Sequence, residues 1–162
     1  MNPMPVSYGQ LDDAEGIASL FAAERQAMLR MATLMVGSVE VAEEVVQDAF
    51  VVVGRRWSSL DRPGAYLRTT VVNGCAQVLR RRDAERRALA ARVPSEEVEL
   101  PSRLVELRDA LDRLSERQRV VVVLRYFVDI PDHESAQMLG VRPSTVRSLA
   151  RRALKVLRKE LE

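Results

Sequence analysis

Cysteine, histidine, aromatic residues and chain breakers are all scarce in this 162-residue chain, and each scarcity excludes something. Cys75 is the only cysteine, so neither an intrachain disulfide nor a cysteine-built zinc site can form. It lies on the stripe Leu67, Thr70, Val71, Gly74, Cys75, Val78, Leu79, the setting of a small buried residue rather than a reactive thiol. His133 is the only histidine and has no cysteine near it, so a partly exposed place on a helix is expected. Aromatic residues make up 4% of the chain, which leaves no stacking platform for single-stranded RNA. Seven glycines and seven prolines give little punctuation, and no segment alternates long enough to argue a strand. The longest apolar runs, such as Val120 to Leu124, fall far short of the ~20 residues that span a bilayer. The opening MNPMPVSYGQ has neither a basic start nor an apolar stretch, so no signal peptide is expected. The expectation is an all-α, cytoplasmic protein with no cofactor and no metal.

Net charge is only +2, but the charges are segregated. Leu11 to Phe50 carries eight acidic residues against two basic, Leu79 to Arg92 six arginines against two acids, and Arg142 to Glu162 seven basic against two acidic. One acidic and two basic blocks suit a chain that meets polyanion twice and something basic once. Ordinary solvated helix faces would look the same by charge alone.

Apolar spacing predicts a first helix over Asp13 to Val36, with Ile17, Leu20, Phe21, Met28, Met31 and Met35 turned inward. Gly37-Ser38 breaks it, and Ser38 is placed to cap a second helix from Val39 to Trp57. That helix would bury Ala42, Val45, Val46, Ala49, Phe50, Val53 and Trp57. Ser58 to Arg62 form a short loop, and Pro63 suits the first turn of a third helix reaching about Ala90. Three such stripes can close a core without a sheet.

Arg92 to Ser102, RVPSEEVELPS, holds two prolines, three glutamates and no helical period, and is the natural flexible linker between two domains. Beyond it Leu104, Leu107, Leu111 and Leu114 mark one helix, and Ser115 with Gln118 forms a capping box for the next. Ile130-Pro131 ends that helix and opens a helix-turn-helix, with Gly140 at its corner. On the last helix Val146, Leu149, Ala150, Ala153, Leu154 and Leu157 make a buried stripe. Ser144, Thr145, Arg147, Ser148, Arg151, Arg152, Lys155 and Arg158 lie off that stripe. A helix of this kind can enter the major groove of DNA.

AEEVVQDAFVVVGRRW (Ala42 to Trp57) and RPGAYLRTTVVNGCAQVLRRR (Arg62 to Arg82) resemble the second conserved region of bacterial sigma factors. ALDRLSERQRVVVVLRYF and MLGVRPSTVRSLARRALKVLR resemble the fourth. Two such blocks, in order and without a third region between them, resemble the extracytoplasmic-function group of the sigma-70 family. The resemblance implies two small helical domains: region 2, a three-helix domain, over 11–91, and region 4, the helix-turn-helix domain, over 103–162, joined by a linker at 92–102. It implies no catalytic site, and a chain that is a monomer when free.

In the family the exposed face of the second helix, here Glu40, Glu43, Glu44, Gln47 and Asp48, binds a coiled-coil clamp on the largest subunits of core RNA polymerase. The third helix meets the promoter's minus-ten element, which assigns Arg68, Thr69, Asn73, Gln77, Arg80 and Arg81 to DNA and places Ala76 among them. The loop before it captures a flipped base, which brings in Ser58, Ser59, Asp61 and Tyr66. The last helix reads the minus-thirty-five element through Ser144, Thr145, Arg147, Ser148, Arg151, Arg152 and Lys155. Glu96, Glu97 and Glu99 are placed either in the polymerase channel or simply in solvent. An anti-sigma partner is common in the group.

Three features depart from the family pattern: Pro131 and Arg142 stand at customary cap positions, and Asp132-His133-Glu134 is unusually polar. They bear on cap geometry and promoter preference rather than on the fold. No appended sensory domain is expected after Glu162. The rival reading is a dimeric helix-turn-helix regulator that is not a polymerase subunit, but the first half resembles neither a dimerisation nor a ligand-binding domain.

Overall fold

Among residues 13–89 and 102–161, which the computed structural model of the chain describes, every regular element is helical. The first half holds α1 (Asp13–Val36), α2 (Val39–Arg56) and α3 (Pro63–Leu89), with a single 3₁₀ turn (Trp57–Ser59) before α3. The second half holds α4 (Ser102–Asp112), α5 (Glu116–Val122), a π-helical turn (Val123–Phe127), α6 (Asp132–Leu139) and α7 (Pro143–Leu161). The linker glutamates lie outside the described residues.

Local chemistry sets most of the boundaries. Gly37 takes φ +74°, which ends α1, and the Ser38 hydroxyl then accepts from the Val41 N–H to start α2. Both bonds of the Ser115–Gln118 capping box are present at the start of α5. Gly140 takes φ +63° between α6 and α7, and the Val141 N–H reaches back to the Ala136 carbonyl at 3.0 Å. Pro131 and Arg142 supply no side-chain cap to α6 or α7. Their carbonyls accept the first helical N–H groups instead, from Ser135 and from Thr145 and Val146. The acids Asp132 and Glu134 favour the positive end of α6.

α1, α2 and α3 pack pairwise around Leu20, Met35, Val46, Val53, Leu67 and Val71. Two close approaches tighten this bundle. A Cβ on Gly16 would lie 2.5 Å from Cζ2 of the buried Trp57, and one on Gly74 would lie 2.8 Å from Cγ1 of Val45. Trp57 itself begins the 3₁₀ turn rather than ending α2. Cys75 is buried in the same core, and burial pushes its thiol up to about 12.

Two positions depart from the expected pattern in the first half. Phe21, expected inside, is 43% exposed: it rests on Phe50 at 4.9 Å between ring centres, with the Arg25 guanidinium 5.6 Å from its centroid. Ala76, expected on the outer face, is buried, as is its neighbour Val72. α3 packs on α1 and α2 and also touches α6, so its apolar sector is wider than one stripe.

The end of α1 shows why the halves meet. All six residues from Met31 to Val36 are buried, which a helix packed on one side does not allow. α1 packs on α2 and α3 and also touches α5 and the π turn. Arg119 crosses the same place. It bonds the Leu111 carbonyl and pairs with Asp112 at 2.9 Å, while its Nη1 would be 3.2 Å from a Cβ at Gly37. Buried side chains of both halves therefore form one continuous cluster, and a smaller one of Val121, Ala136, Val146 and Ala150 lies beneath the helix-turn-helix.

The π turn changes the register of the second half. Continued as an α-helix, α5 would carry Phe127 onto the buried stripe of Val120, Val123 and Leu124. The Val128 N–H instead bonds the Val123 carbonyl at 3.1 Å, and Asp129 closes the segment at φ +57°. Tyr126 and Phe127 emerge 51% and 48% exposed. Each forgoes part of the ~1.5–3 kcal/mol that burying a large apolar side chain contributes.

Candidate nucleic-acid and protein interfaces

On α2, Glu40, Glu44, Gln47 and Asp48 are exposed along one stripe. Glu43 is half-buried beside them, 3.9 Å from Arg25. The Ser38 hydroxyl that caps α2 also donates to Glu40 at 3.0 Å, which steadies the first carboxylate of the row. Val51, 51% exposed, continues the stripe one turn on. Periodicity could have found it, because an apolar residue on a polar face breaks the pattern.

On α3, Asn73, Gln77, Arg80 and Arg81 are exposed, while Tyr66, Arg68 and Thr69 are half-buried. The Arg68 Nε is buried and makes no hydrogen bond, so this arginine does not share the open face of the other two. A groove of about 850 Å³ runs between α2 and α3. Glu44 and Asp48 stand on one bank, and Asn73, Gln77, Arg80 and Arg81 on the other. The structure thus sets two expected residue groups on opposite banks of one channel, and Gly74 lets the helices approach beneath it.

Ser58, Ser59 and Asp61 are exposed in the connection to α3. The Ser59 hydroxyl donates to the Arg56 carbonyl at 2.8 Å, and the Arg56 guanidinium bonds the Tyr66 hydroxyl across the base of the loop. Arg56 had no periodic signal as a site residue, since it ends α2 in a basic last turn.

α7 presents Ser144, Arg147, Arg151, Arg152 and Lys155 to solvent, with Thr145 and Ser148 half-buried. Arg152 is drawn along its own helix, donating to the Ser148 hydroxyl at 3.3 Å and its carbonyl at 3.4 Å. Arg147, Arg151 and Lys155 are the freer cations of the expected set. Such a face can hold phosphates or bond guanine edges. Among the described residues, no cluster of histidine, cysteine or carboxylates could hold a metal ion, and no helix is long and apolar enough to cross a membrane.

Comparison with known proteins covers both halves. Residues 20–85 match the family description "Sigma-70 region 2", and residues 104–157 match "Sigma-70, region 4". The chain is 34% identical over 152 residues to the RNA polymerase sigma-E factor of Streptomyces avermitilis, spanning 85% of this chain and 80% of that one. It is 32% identical over 163 residues to the ECF RNA polymerase sigma factor SigJ of Mycobacterium tuberculosis, covering 86% of this chain and 49% of that one. Among solved structures, the sigma factor RpoE of Bartonella quintana, in complex with the anti-sigma factor NepR, superposes with a TM-score of 0.74. That match has 21% identity and covers 91% and 97% of the two chains.

Proposed function

This chain belongs to the sigma-70 family, in its extracytoplasmic-function group, and from that premise we propose how its surfaces divide the work of a sigma factor. Residues 11–91 act as region 2 and 103–162 as region 4. The face of Glu40, Glu43, Glu44, Gln47 and Asp48 docks on an arginine-rich clamp of the largest polymerase subunits, where opposite charge steers the encounter. Asn73, Gln77, Arg80 and Arg81, with Thr69 and Arg68 on the flank, hold the minus-ten strand as the duplex opens. Ser58, Ser59, Asp61 and Tyr66 border the place where a base leaves the stack. α7 enters the minus-thirty-five major groove through Arg147, Arg151 and Lys155, flanked by Ser144, Thr145, Ser148 and Arg152. The chain supplies recognition and the polymerase supplies the chemistry, inside the cytoplasm, subject to an anti-sigma partner.

The observation that supports this division best is that the charged residues are sorted by helix. The exposed acids Glu40, Glu44 and Asp48 lie on α2, the last two facing Arg80 and Arg81 of α3 across one groove, and a second basic face lies on α7. Reconstituted transcription tests it. Core polymerase should start at mapped promoters only when the chain is added. Reversing charge at Glu44 and Asp48 together should weaken assembly on core polymerase while helicity is kept. A folded double variant that assembles normally would remove this face from the interface. A chain that binds promoters as a dimer without polymerase would favour the rival regulator reading.

A further inference from the structure

We infer that Arg125 and Tyr126, held in place by Asp132, form a second wall of the duplex-binding site of region 4. This rests on the reading of α7 as the minus-thirty-five helix. A groove of about 840 Å³ lies between the π turn and one flank of α7. Arg125 and Tyr126 stand on one side, and Arg147, Arg151, Lys155 and Arg158 on the other. Ala150 and Leu154 lie between, and no acidic residue lines the groove. Its charge matches a phosphodiester strand, and it is continuous with the exposed basic face of α7.

The first wall residue is built with care. The Arg125 guanidinium sits 5.6 Å from the centre of the Tyr126 ring, and its Nη1 lies 3.5 Å from Oδ1 of Asp132. Asp132 is half-buried at the first turn of α6, so Arg125 is fixed between a carboxylate and a ring rather than free in solvent. Both side chains of this wall belong to the π turn, and both line the groove. π turns concentrate at functional sites, where a local cost is kept for a placed side chain. Phe127 emerges with Tyr126 but does not line the groove. The polar Asp132 departs from the family pattern and finds its reason here: it is a positioning residue for Arg125.

With α7 in the major groove, the flanking sugar-phosphate strand falls between the walls. Arg125 meets a phosphate, and Tyr126 lays its ring on deoxyribose with its hydroxyl toward a phosphate oxygen. The groove is an open channel along a helix already assigned to duplex, which favours DNA over an acidic protein segment.

The test uses the full chain assembled on core polymerase, with a labelled promoter duplex carrying the minus-thirty-five element. Tyr126→Ala should weaken binding about five-fold, close to the ~1 kcal/mol of one hydrogen bond, with the salt slope unchanged because no charge is lost. Arg125→Ala should lower that slope by about 1. Asp132→Asn should alter affinity in the parent chain but not beside Arg125→Ala, whereas a merely structural role for Asp132 would persist in both. Thermal unfolding checks that each exposed-site variant is folded. Unchanged affinity and slope for Tyr126→Ala and Arg125→Ala overturn the proposal, provided Arg151→Ala still weakens binding. If Arg151→Ala is silent as well, the reading of α7 fails with it. If Tyr126→Ala weakens assembly with polymerase and leaves the duplex contact intact, the wall belongs to a protein interface and the proposal is wrong.

Discussion

The hydroxyl of Tyr66 accepts a hydrogen bond from Nη1 of Arg56 at 3.1 Å, and the same guanidinium stands 6.0 Å from the centre of the tyrosine ring. One arginine therefore covers the ring and bonds its tip. The pair bridges the end of α2 and the start of α3, directly under the exposed Ser58–Asp61 loop. Tyr66 thus orders a cation beside the loop instead of offering a bare face for stacking.

Tyr66→Phe keeps the ring and removes the acceptor. Stability should change by less than about 1 kcal/mol, because the bond is exposed. Open-complex formation should slow, and base preference at the minus-ten element should loosen, when a randomised promoter library is transcribed. Preference at the minus-thirty-five element should stay constant, since that contact belongs to the other half. Equal minus-ten preferences for variant and parent would separate this pair from base selection.

Gly16→Ala places a methyl group 2.5 Å from a rigid indole carbon of Trp57. Overpacking of this kind costs about 1–3 kcal/mol. The helix-propensity gain is at most about 1 kcal/mol, so the balance is a loss. Urea unfolding followed by circular dichroism reads it directly. A variant as stable as the parent would show that α1 can slide away from Trp57 at no cost.

Cys75 should be silent toward thiol reagents at pH 8 until the chain unfolds, since its thiol is buried and pushed up from 9.0 to about 12. Linkage has a definite sign here. Between pH 9 and 12 the folded state holds a proton that the unfolded state has released, so stability is whole below about 9 and declines as pH rises through that window. Cys75→Ala should flatten the decline. Rapid labelling of folded protein would contradict the burial.

Arg151→Ala should weaken promoter binding, by about 1–3 kcal/mol if the guanidinium meets a base edge. A phosphate contact would instead weaken every sequence alike and lower the salt slope by about 1. Titrations of cognate and scrambled duplexes across a salt series distinguish the two. No change in either would falsify the placement of α7 in the groove.

Much of this architecture was legible in the chain because its signals are local. Gly37, Ser38, Pro63, the Ser115–Gln118 box and Gly140 each act within one turn, and the helices begin and end beside them. The exposure of Phe21 and Phe127 and the burial of Ala76 are not legible in the chain, because they depend on what lies across the fold. A single stripe is too narrow for α3, which meets α1, α2 and α6, and a constant 100° step misses the π turn in which Phe127 lies. Arg56 and Arg125 were invisible for a related reason. Each acquires its place from a partner ring or carboxylate, and a lone arginine in a basic chain carries no such mark.

The wrapped end of α1 has a mechanical consequence. A compact chain of this length has a radius of gyration of about 15 Å. Promoter elements named minus-ten and minus-thirty-five lie about 25 base pairs, or roughly 85 Å, apart along B-DNA. On the proposed assignment of the two halves, a chain packed this closely is too short to meet both elements, and reaching both requires the halves to part. Parting exposes apolar side chains to water, which disfavours the parted form in the free chain. Its fraction scales the apparent affinity for polymerase, because a partner that requires a rare conformer binds more weakly by that rarity. The packing at the end of α1 therefore opposes the parting that two simultaneous promoter contacts require.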